Sequence, residues 1–585
     1  MKSVNLYQFT RFLRIALTVS LIFITCFCFS QDTKYSRVKV FTGKDGLMKL
    51  ARLGIPVDHG EIKKGVFFIS DFSTEEVELI KSNEFEYEIL IDDVVEHYQK
   101  QNNPTLPPNK GEDDSIREKS SKKSKEQEPD KKLKKKAFTG ACSVPVDYPV
   151  PVNFSLGSMG GYFTYAEMLE HLDSMASKFP NLITARQQIG SNTTIEGRPI
   201  YWVKISDNPD SNEVEPEVLY TALTHVREAV TLSQMIFYMY YLLENYGTDD
   251  EVTYLVGNTE MYFIPCVNPD GYIYNQTTNP GGGGMWRKNR RNNGDGTFGV
   301  DLNRNYGFNW GYDNTGSSPT TSSNTYRGTA AFSEPETQII KEFCESHETK
   351  ITLNYHAYGN MLIYPWGYAP SIYTPDLAVF VNHAALMTSE NSYIFGTGDQ
   401  TVGYVTNGDA DDWMYGEQIT KNKILSMTPE SGPGNFGFWP PSAAITGICK
   451  ENMWQNLATA HLAIKYALTE DLSPSMISQQ NGYFNFGIKR LGLDSPASFT
   501  VAITPLGIGI DSIGSPKTFN GMGLLEERVD SISYILDTNI QTGQVFSFVL
   551  SVDNGLYIKR DTITKIYGQL TAVFFDSANT ISNWA

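Results

Sequence analysis

Short apolar runs alternate with longer amphipathic segments through the middle of the chain. The runs EVLYTALT, MYFIPCV, ITLNYH and KILSMTPE contain few turn residues, which is typical of strands covered on both faces. The segments MIFYMYYLLENYG and PETQIIKEFCESH have the length and composition of covering helices. Thr164 and Glu167 form a capping-box pattern ahead of a further amphipathic helix. This order predicts a doubly wound α/β domain with a mixed sheet over residues 141–470.

Beyond about residue 470 the apolar positions change to a period of two. Phe499, Val501 and Ile503 alternate with smaller or polar residues, and the run VFSFVLSV repeats this pattern before a DNG turn. We therefore expect residues 471–585 to form an all-β sandwich.

Residues 31–98 show a smaller α/β pattern. Helical segments lie between three strand-like runs, and the second helix opens with a capping box of Ser73 and Glu76. The predicted strands are RVKVF, VFFIS and YEILIDD. The pattern predicts a small α/β open-faced sandwich.

The segment 99–140 carries many charges and almost no large apolar residue. Because such a composition cannot bury a core, we expect it to be disordered. Its lysine runs are also ready sites for trypsin-like cleavage. Two interpretations follow: a solvated linker, or an activation segment that is cut near Ala137.

The first 30 residues predict an export signal. Basic residues precede the apolar stretch 15–29, and the residues before Gln31 fit a small-x-small cleavage site. A membrane anchor and a lipidated Cys26 are the alternatives, but about 15 apolar residues are short for a stable span. We therefore expect a secreted or cell-surface protein.

Length, charge and cysteine content further narrow the class of protein. A chain of 585 residues exceeds one hydrophobic core, and its net charge of -18 argues against nucleic-acid binding, which needs a basic surface. Of the 6 cysteines, four remain after signal removal, and none forms a C-x-x-C pair. They allow either two disulfides or buried free thiols. These four are Cys142, Cys266, Cys344 and Cys449.

Three residues capable of metal or acid–base chemistry follow predicted strands. LYTALT leads to His225, ITLNY leads to His356, and ILSMTP leads to Glu430. Because open α/β sheets bind ligands outside the carboxyl ends of their strands, we expect these residues at one edge. The other histidines have no such placement, and we interpret them as helix or loop residues: His59, His97, His171, His347, His383 and His461.

This arrangement matches the needs of a catalytic zinc ion. Such a zinc takes three protein ligands and keeps one position open for water, and two imidazoles with one carboxylate meet that requirement. Glu228 lies three positions after His225, so both can point to one ion, with His356 arriving from a neighbouring strand. A second carboxylate can then take the proton of the water.

Residues from about 160 to 465 resemble the zinc metallocarboxypeptidases of the carboxypeptidase A/B type. In carboxypeptidase A of that family, the zinc ligands are two histidines and one glutamate. The glycine run at 281–284 departs from the family's pattern, and its freedom to adopt positive φ predicts a mobile approach to Arg287. The motifs follow the family's order: THVREAV, NPDGY, WRKNRR, GVDLNRNYGFNW, YHAYGNMLIYPWGY, YVTNGDADDW and SMTPE.

The resemblance implies a role for each matching residue. His225, Glu228 and His356 are then the zinc ligands, and Glu430 is the general base. Arg287 polarises the scissile carbonyl and holds the oxyanion. The remaining residues are implied to bind substrate: Asn303 and Arg304 the terminal carboxylate, Tyr404 as the tyrosine that closes over it, and Arg227 and Tyr358 further along the peptide.

Asp411 is the implied determinant of substrate preference. In the family, the residue two before the tryptophan of the DDW-like stretch lies at the base of the S1′ pocket, and here that residue is Asp411. An acid there is typical of the branch that prefers basic C-termini. We therefore expect removal of C-terminal Lys and Arg, unless the acids at 409–412 form only a polar loop.

The sequence thus predicts a secreted zinc carboxypeptidase that acts on peptide or protein C-termini. The resemblance implies that the 31–98 unit is a propeptide that inhibits the enzyme, with a trypsin-like protease as activator. No motif identifies a calcium site. The alternatives are a catalytically inactive or minor peptide-binding protein, and an adhesion protein acting through the C-terminal β-domain.

Overall fold

A computed structural model of the chain describes residues 34–102 and 146–569. The predicted export signal, Cys142 and most of the predicted linker lie outside the described residues. Among the described residues, none of the helices combines the length and the apolar composition needed to cross a bilayer.

Residues 34–102 form a four-stranded antiparallel sheet with three helices. The strand order is β2-β3-β1-β4, and the capping box of Ser73 and Glu76 is present at the start of α2. The predicted linker boundary at 99 is wrong, because α3 continues as regular helix to Asn102 and buries Tyr98. The elements are β1 Tyr35–Val40, α1 Gly46–Arg52, β2 Glu61–Lys63, β3 Phe67–Ser73, α2 Thr74–Ser82, β4 Tyr87–Ile91 and α3 Val94–Asn102.

The middle of the chain forms a mixed eight-stranded sheet. Its strand order is β11-β10-β12-β9-β7-β8-β6-β5, and short 3-10 turns at Leu302–Arg304 and Gly434–Phe436 lie in its loops. The elements are α4 Tyr165–Lys178, β5 Gln187–Gln188, β6 Tyr201–Ile205, β7 Glu217–Thr221, α5 Val230–Asn245, α6 Asp250–Val256, β8 Glu260–Ile264, α7 Pro269–Thr278, α8 Pro335–Ser346, β9 Thr349–Asn354, β10 Met361–Ile363, α9 Leu377–Met387, β11 Ile394–Gly396, α10 Ala410–Gly416, β12 Leu425–Glu430, α11 Ser442–Glu451 and α12 Met453–Ala463.

The four apolar runs of the sequence are the four central strands of this sheet. β8, β7, β9 and β12 are neighbours and run parallel. Helices cover both faces: Val218 and Tyr220 of β7 join a core with α5 and α12, whereas Leu219 joins a second core with α8 and α10. The predicted doubly wound mixed sheet is therefore confirmed, and its parallel strands end at one edge.

A β-sandwich follows the mixed sheet. Two sheets, β13-β15-β19-β17 and β14-β21-β20-β16-β18, enclose their own core, in which Phe484 stacks on Phe548 with ring centroids 4.5 Å apart. The apolar positions of period two face inward, as predicted. The elements are β13 Ala467–Asp471, β14 Met476–Ile477, β15 Asn481–Arg490, β16 Phe499–Leu506, β17 Ile510–Ile513, β18 Lys517–Phe519, β19 Glu527–Leu536, β20 Val545–Asp553 and β21 Ile558–Tyr567.

The described cysteines are free thiols. Cys266, Cys344 and Cys449 are buried, and no disulfide joins any two of them. Of the two interpretations of the sequence, the structure therefore supports buried thiols for these three residues.

Candidate active site

The carboxyl edge of the central strands brings the predicted metal and acid–base residues together. His225 follows β7, His356 follows β9, and Glu430 is the last residue of β12. A parallel bridge pairs His356 with Glu430, which fixes the distance between these two strand ends. Each of the three side chains is at most 3% exposed. Burial raises the pKa of the Glu430 carboxyl, and the nearby His59 opposes that rise.

Donor atoms of His225, Glu228 and His356 converge on one point. Nδ1 of His225 lies 3.0 Å from Oε1 of Glu228, and Nδ1 of His356 lies 3.0 Å from Oε2 of the same carboxylate. The two Nδ1 atoms are themselves 3.0 Å apart. Ligands of a tetrahedral zinc at about 2.1 Å stand roughly 3.4 Å from one another, so this donor set fits zinc.

Asp301 orients the first of these histidines. Nε2 of His225 donates to Oδ1 of Asp301 at 3.0 Å, which leaves its Nδ1 lone pair facing the donor cluster. Burial acts to raise the pKa of Asp301, but Arg287 and His225 outweigh it and hold the pKa well below its usual value. This role was not predicted from the sequence, although Asp301 lies two residues before Asn303 in the GVDLNRNYGFNW motif.

A fourth donor comes from the N-terminal unit. His59, in the loop between α1 and β2, is 3% exposed and joins His225, Glu228 and His356 in a group whose donor atoms all lie within 4.8 Å of one another. His59 is thus a loop residue, as one of the two predicted alternatives, but the expectation that it has no place at the sheet edge is wrong. No local pattern in the sequence indicates this placement, because His59 lies 166 positions before His225 and follows no central strand of the mixed sheet.

Two arginines beside the cluster bind one carboxylate of the N-terminal unit. Arg287 and Arg304 both donate through Nη2 to Oδ2 of Asp58, the latter at 3.1 Å. Arg287 is also paired with Asp301 at 2.9 Å. Burial acts to raise the pKa of Asp58, but Arg287 and the other surrounding cations hold it well below its usual value. The two guanidinium groups thus form a carboxylate-binding site.

The other predicted substrate residues form two groups, one beside Arg304 and one around Phe438. Tyr404 accepts a hydrogen bond from Arg304 at 3.1 Å, and Asn303 lines the same cleft while accepting from the backbone N–H of Ala410. Arg227 stacks its guanidinium on the ring of Phe438 at 3.9 Å, and Tyr358 contacts that ring from another side. The structure therefore brings together every residue assigned to the site from the sequence.

Asp411 is buried in the wall of the cleft that Arg304 and Tyr404 also line. Its carboxylate accepts hydrogen bonds from Asn354, Ser426 and Thr428, which are all uncharged. Burial raises its pKa to about 6.

A sheet edge that brings two histidines and two glutamates together beside two buried arginines is typical of a metal-dependent hydrolase. Residues 168–455 match the family model described as zinc carboxypeptidase. Human mast cell carboxypeptidase A is 31% identical over 319 residues, covering 53% of this chain and 72% of that protein. Bovine carboxypeptidase B is 33% identical over 304 residues, covering 50% of this chain and 67% of that protein.

Solved structures agree at the level of the fold. Carboxypeptidase A from Helicoverpa armigera superposes with a TM-score of 0.54 at 22% identity, covering 73% of this chain and 97% of that structure. Thrombin-activatable fibrinolysis inhibitor superposes with a TM-score of 0.53 at 19% identity, covering 73% of this chain and 98% of that structure. The chain belongs to the zinc carboxypeptidase family, and it is a zinc metallocarboxypeptidase.

Proposed function

We propose that the protein removes C-terminal residues from peptides at the cluster of His225, Glu228 and His356. The observation that carries the proposal is the convergence of this donor set with Glu430 and the arginine pair at one sheet edge. When bound there, zinc acts as a Lewis acid on the scissile carbonyl and makes water nucleophilic near neutral pH. The presence of ligands, base and cation together argues against an inactive binding protein.

Residues of the chain supply substrate binding, oxyanion stabilisation and proton transfer. Arg304, with Asn303, binds the terminal carboxylate of the substrate and so selects exopeptidase cleavage. Arg287 lies between that clamp and the metal cluster, where its charge stabilises the oxyanion that develops in the transition state. Glu430 accepts a proton from the attacking water and passes it to the leaving amine. Tyr404 closes the cleft over the bound residue.

Replacing Glu430 with glutamine tests this mechanism. Glutamine keeps the size of the side chain but cannot accept the proton, so we expect kcat of the activated enzyme to fall by about 10²- to 10⁴-fold. Zinc content should stay at that of the parent protein, because Glu430 is not among the proposed ligands. A variant that binds zinc and keeps parental turnover contradicts the mechanism.

We further infer a preference for C-terminal Lys and Arg. Asp411 is a buried carboxylate whose hydrogen-bond donors are neutral, and it lines the cleft next to the proposed carboxylate clamp. A cationic side chain bound beside the clamp supplies the counter-charge. This observation supports the basic-specific assignment over a purely structural polar loop.

Matched peptides that end in Arg and in Phe test the preference. We expect a higher kcat/KM for Arg, and the Arg/Phe ratio should fall at least about 30-fold in Asp411→Ile, the loss expected when one partner of a buried charge pair is removed. Using the ratio controls for damage to the metal site, which lowers both rates. A preference for Phe in the parent enzyme refutes the assignment.

The N-terminal unit is proposed to be an inhibitory propeptide of a secreted zymogen. Its loop 54–60 is buried against the cleft, and Asp58 occupies the two arginines that would bind substrate. α3 also packs closely on the glycine run: a Cβ on Gly283, where φ is +84°, would lie 3.2 Å from Cβ of Tyr98. The export pattern of the first 30 residues supports secretion.

Limited trypsin digestion tests the zymogen. Cleavage should release a fragment that begins near Ala137 and raise peptidase activity. In a matched control, glutamine replaces the five lysines that directly precede Ala137, and the fragment that begins near Ala137 should no longer form. These lysines are Lys131, Lys132, Lys134, Lys135 and Lys136. Unchanged activity of the cleaved parent protein contradicts the proposal.

A further inference from the structure

His59 meets the metal cluster through one ring nitrogen. Its Nε2 lies 3.0 Å from Oε1 of Glu228 and 3.7 Å from Oδ1 of Asp58. Neither approach has the geometry of a hydrogen bond, and this buried nitrogen has no hydrogen-bond partner. Nε2 is thus a buried ring nitrogen that is directed at the proposed zinc ligands.

The other ring nitrogen is held by the proposed general base. Nδ1 of His59 lies 3.1 Å from Oε2 of Glu430, and a carboxylate there accepts the Nδ1 proton. When the ring is neutral, this hydrogen bond leaves Nε2 without a proton, because a neutral imidazole carries one proton. A carboxylate on the distal nitrogen is the arrangement that orients a histidine for metal binding.

The backbone of the N-terminal unit fixes the ring at this position. Asp58 is anchored by Arg287 and Arg304, and on the other side the carbonyl of His59 accepts a hydrogen bond from Ser70 at 2.8 Å. A Cβ at Gly60 would lie 2.4 Å from the carbonyl oxygen of Ile69, so only glycine permits this approach to β3. These backbone contacts, rather than free rotation of the side chain, therefore set the position of the ring at the cluster.

We propose that His59 is a fourth protein ligand of the zinc in the uncleaved chain. Three imidazoles and one carboxylate would then supply four protein ligands, which leaves no position for water in a four-coordinate site. The same ring holds Glu430, so one residue blocks both the open coordination position and the base. This inference rests on the proposed zinc site and on the proposed role of the N-terminal unit.

Metal binding by the uncleaved full chain provides the test. Zinc dissociation constants are measured by chelator competition for the parent protein, His59→Gln and Asp92→Asn. Glutamine keeps much of the size of the imidazole and its hydrogen bond to Glu430 but is a poor zinc ligand. We expect His59→Gln to weaken zinc binding by at least about 10-fold. Removal of a residue that only hydrogen-bonds to a metal ligand already lowers metal affinity by about 10-fold or more, so the loss of a ligand itself should cost no less. Asp92→Asn, at an exposed ion pair of the same unit, should retain the parental affinity.

The visible spectrum of the Co²⁺-loaded protein gives a readout independent of activity. Azide, a small ligand for an open coordination position, should leave the spectrum of the uncleaved parent protein unchanged and should shift that of His59→Gln. Trypsin-cleaved parent protein should respond like His59→Gln. Circular dichroism of the metal-free variants verifies that they are folded.

The outcomes separate this inference from the proposed function. If His59→Gln binds zinc as tightly as the parent protein and azide shifts both spectra equally, His59 is not a ligand, and the three-residue site stands. If His225→Ala also retains parental affinity, the proposed zinc site itself is wrong. A His59→Gln variant that does not fold is replaced by His59→Ala, and the azide response of the parent protein still decides the question.

Discussion

Nε2 of His225 lies 3.0 Å from Oδ1 of Asp301, and the same carboxylate group binds Arg287 through its other oxygen. One buried aspartate therefore positions a proposed metal ligand and a proposed transition-state cation together. Because the lowered pKa of Asp301 keeps it ionised, it also offsets part of the positive charge of Arg287.

Replacing Asp301 with asparagine should damage both functions. The amide keeps the shape but loses the charge, so we expect zinc affinity to fall by about 10- to 100-fold and kcat/KM to fall even at saturating zinc. Chelator competition and peptide hydrolysis measure the two effects. Asp295→Asn, on an exposed loop nearby, is the control and should change neither. Parental zinc affinity in Asp301→Asn would falsify the orienting role.

The preference for basic residues should depend on pH through Asp411. Burial raises the pKa of this carboxyl to about 6, so it is charged above that pH and becomes neutral as the pH falls through it. The Arg/Phe ratio of kcat/KM should thus be high above pH 6 and should fall towards about tenfold per unit below it. Taking the ratio removes the titration of groups shared by both substrates. A ratio that is flat between pH 5 and pH 8 excludes Asp411 as the specificity group.

Asp58→Asn should weaken the closure of the uncleaved protein. Asp58→Asn leaves Arg304 without its carboxylate partner and Arg287 with Asp301 alone, and the loss of one partner of a buried charge pair costs about 2–5 kcal/mol. We expect the residual peptidase activity of the uncleaved chain to rise by at least about tenfold, assayed without trypsin. Asp92→Asn, at an exposed pair on the same unit, should leave that activity unchanged. Equal activity of the two variants argues against the clamp.

The capping box at the start of α4 should contribute measurable stability. The Thr164 hydroxyl accepts from the backbone N–H of Glu167, and the Glu167 carboxylate accepts from the backbone N–H of Thr164. Thr164→Ala should therefore lower the free energy of unfolding by about 1 kcal/mol in chemical denaturation. Glu170→Ala, at an exposed position of the same helix, should have little effect. If both variants lose the same stability, the cap is not the cause.

Much of the fold could be predicted from the sequence because its signals are local. The capping residues Ser73 and Thr164 begin helices as expected, and the apolar runs that lead to His225, His356 and Glu430 are adjacent parallel strands. Because parallel strands share one carboxyl edge, the residues that end or follow these strands lie close together. The helix end at Asn102 was missed, since polar composition at the end of a helix resembles that of a linker.

The sequence by itself determined the strands, the helices and the residues that follow the strand ends, because hydrophobic period and capping chemistry act over a few positions. Only the tertiary structure decided what faces those residues from elsewhere in the chain. The bond between Asp301 and His225, and the approach of Asp58 and His59 to the arginines and the metal cluster, join segments far apart in sequence. Such contacts come from the docking of whole units, and no local pattern around His59 encodes them.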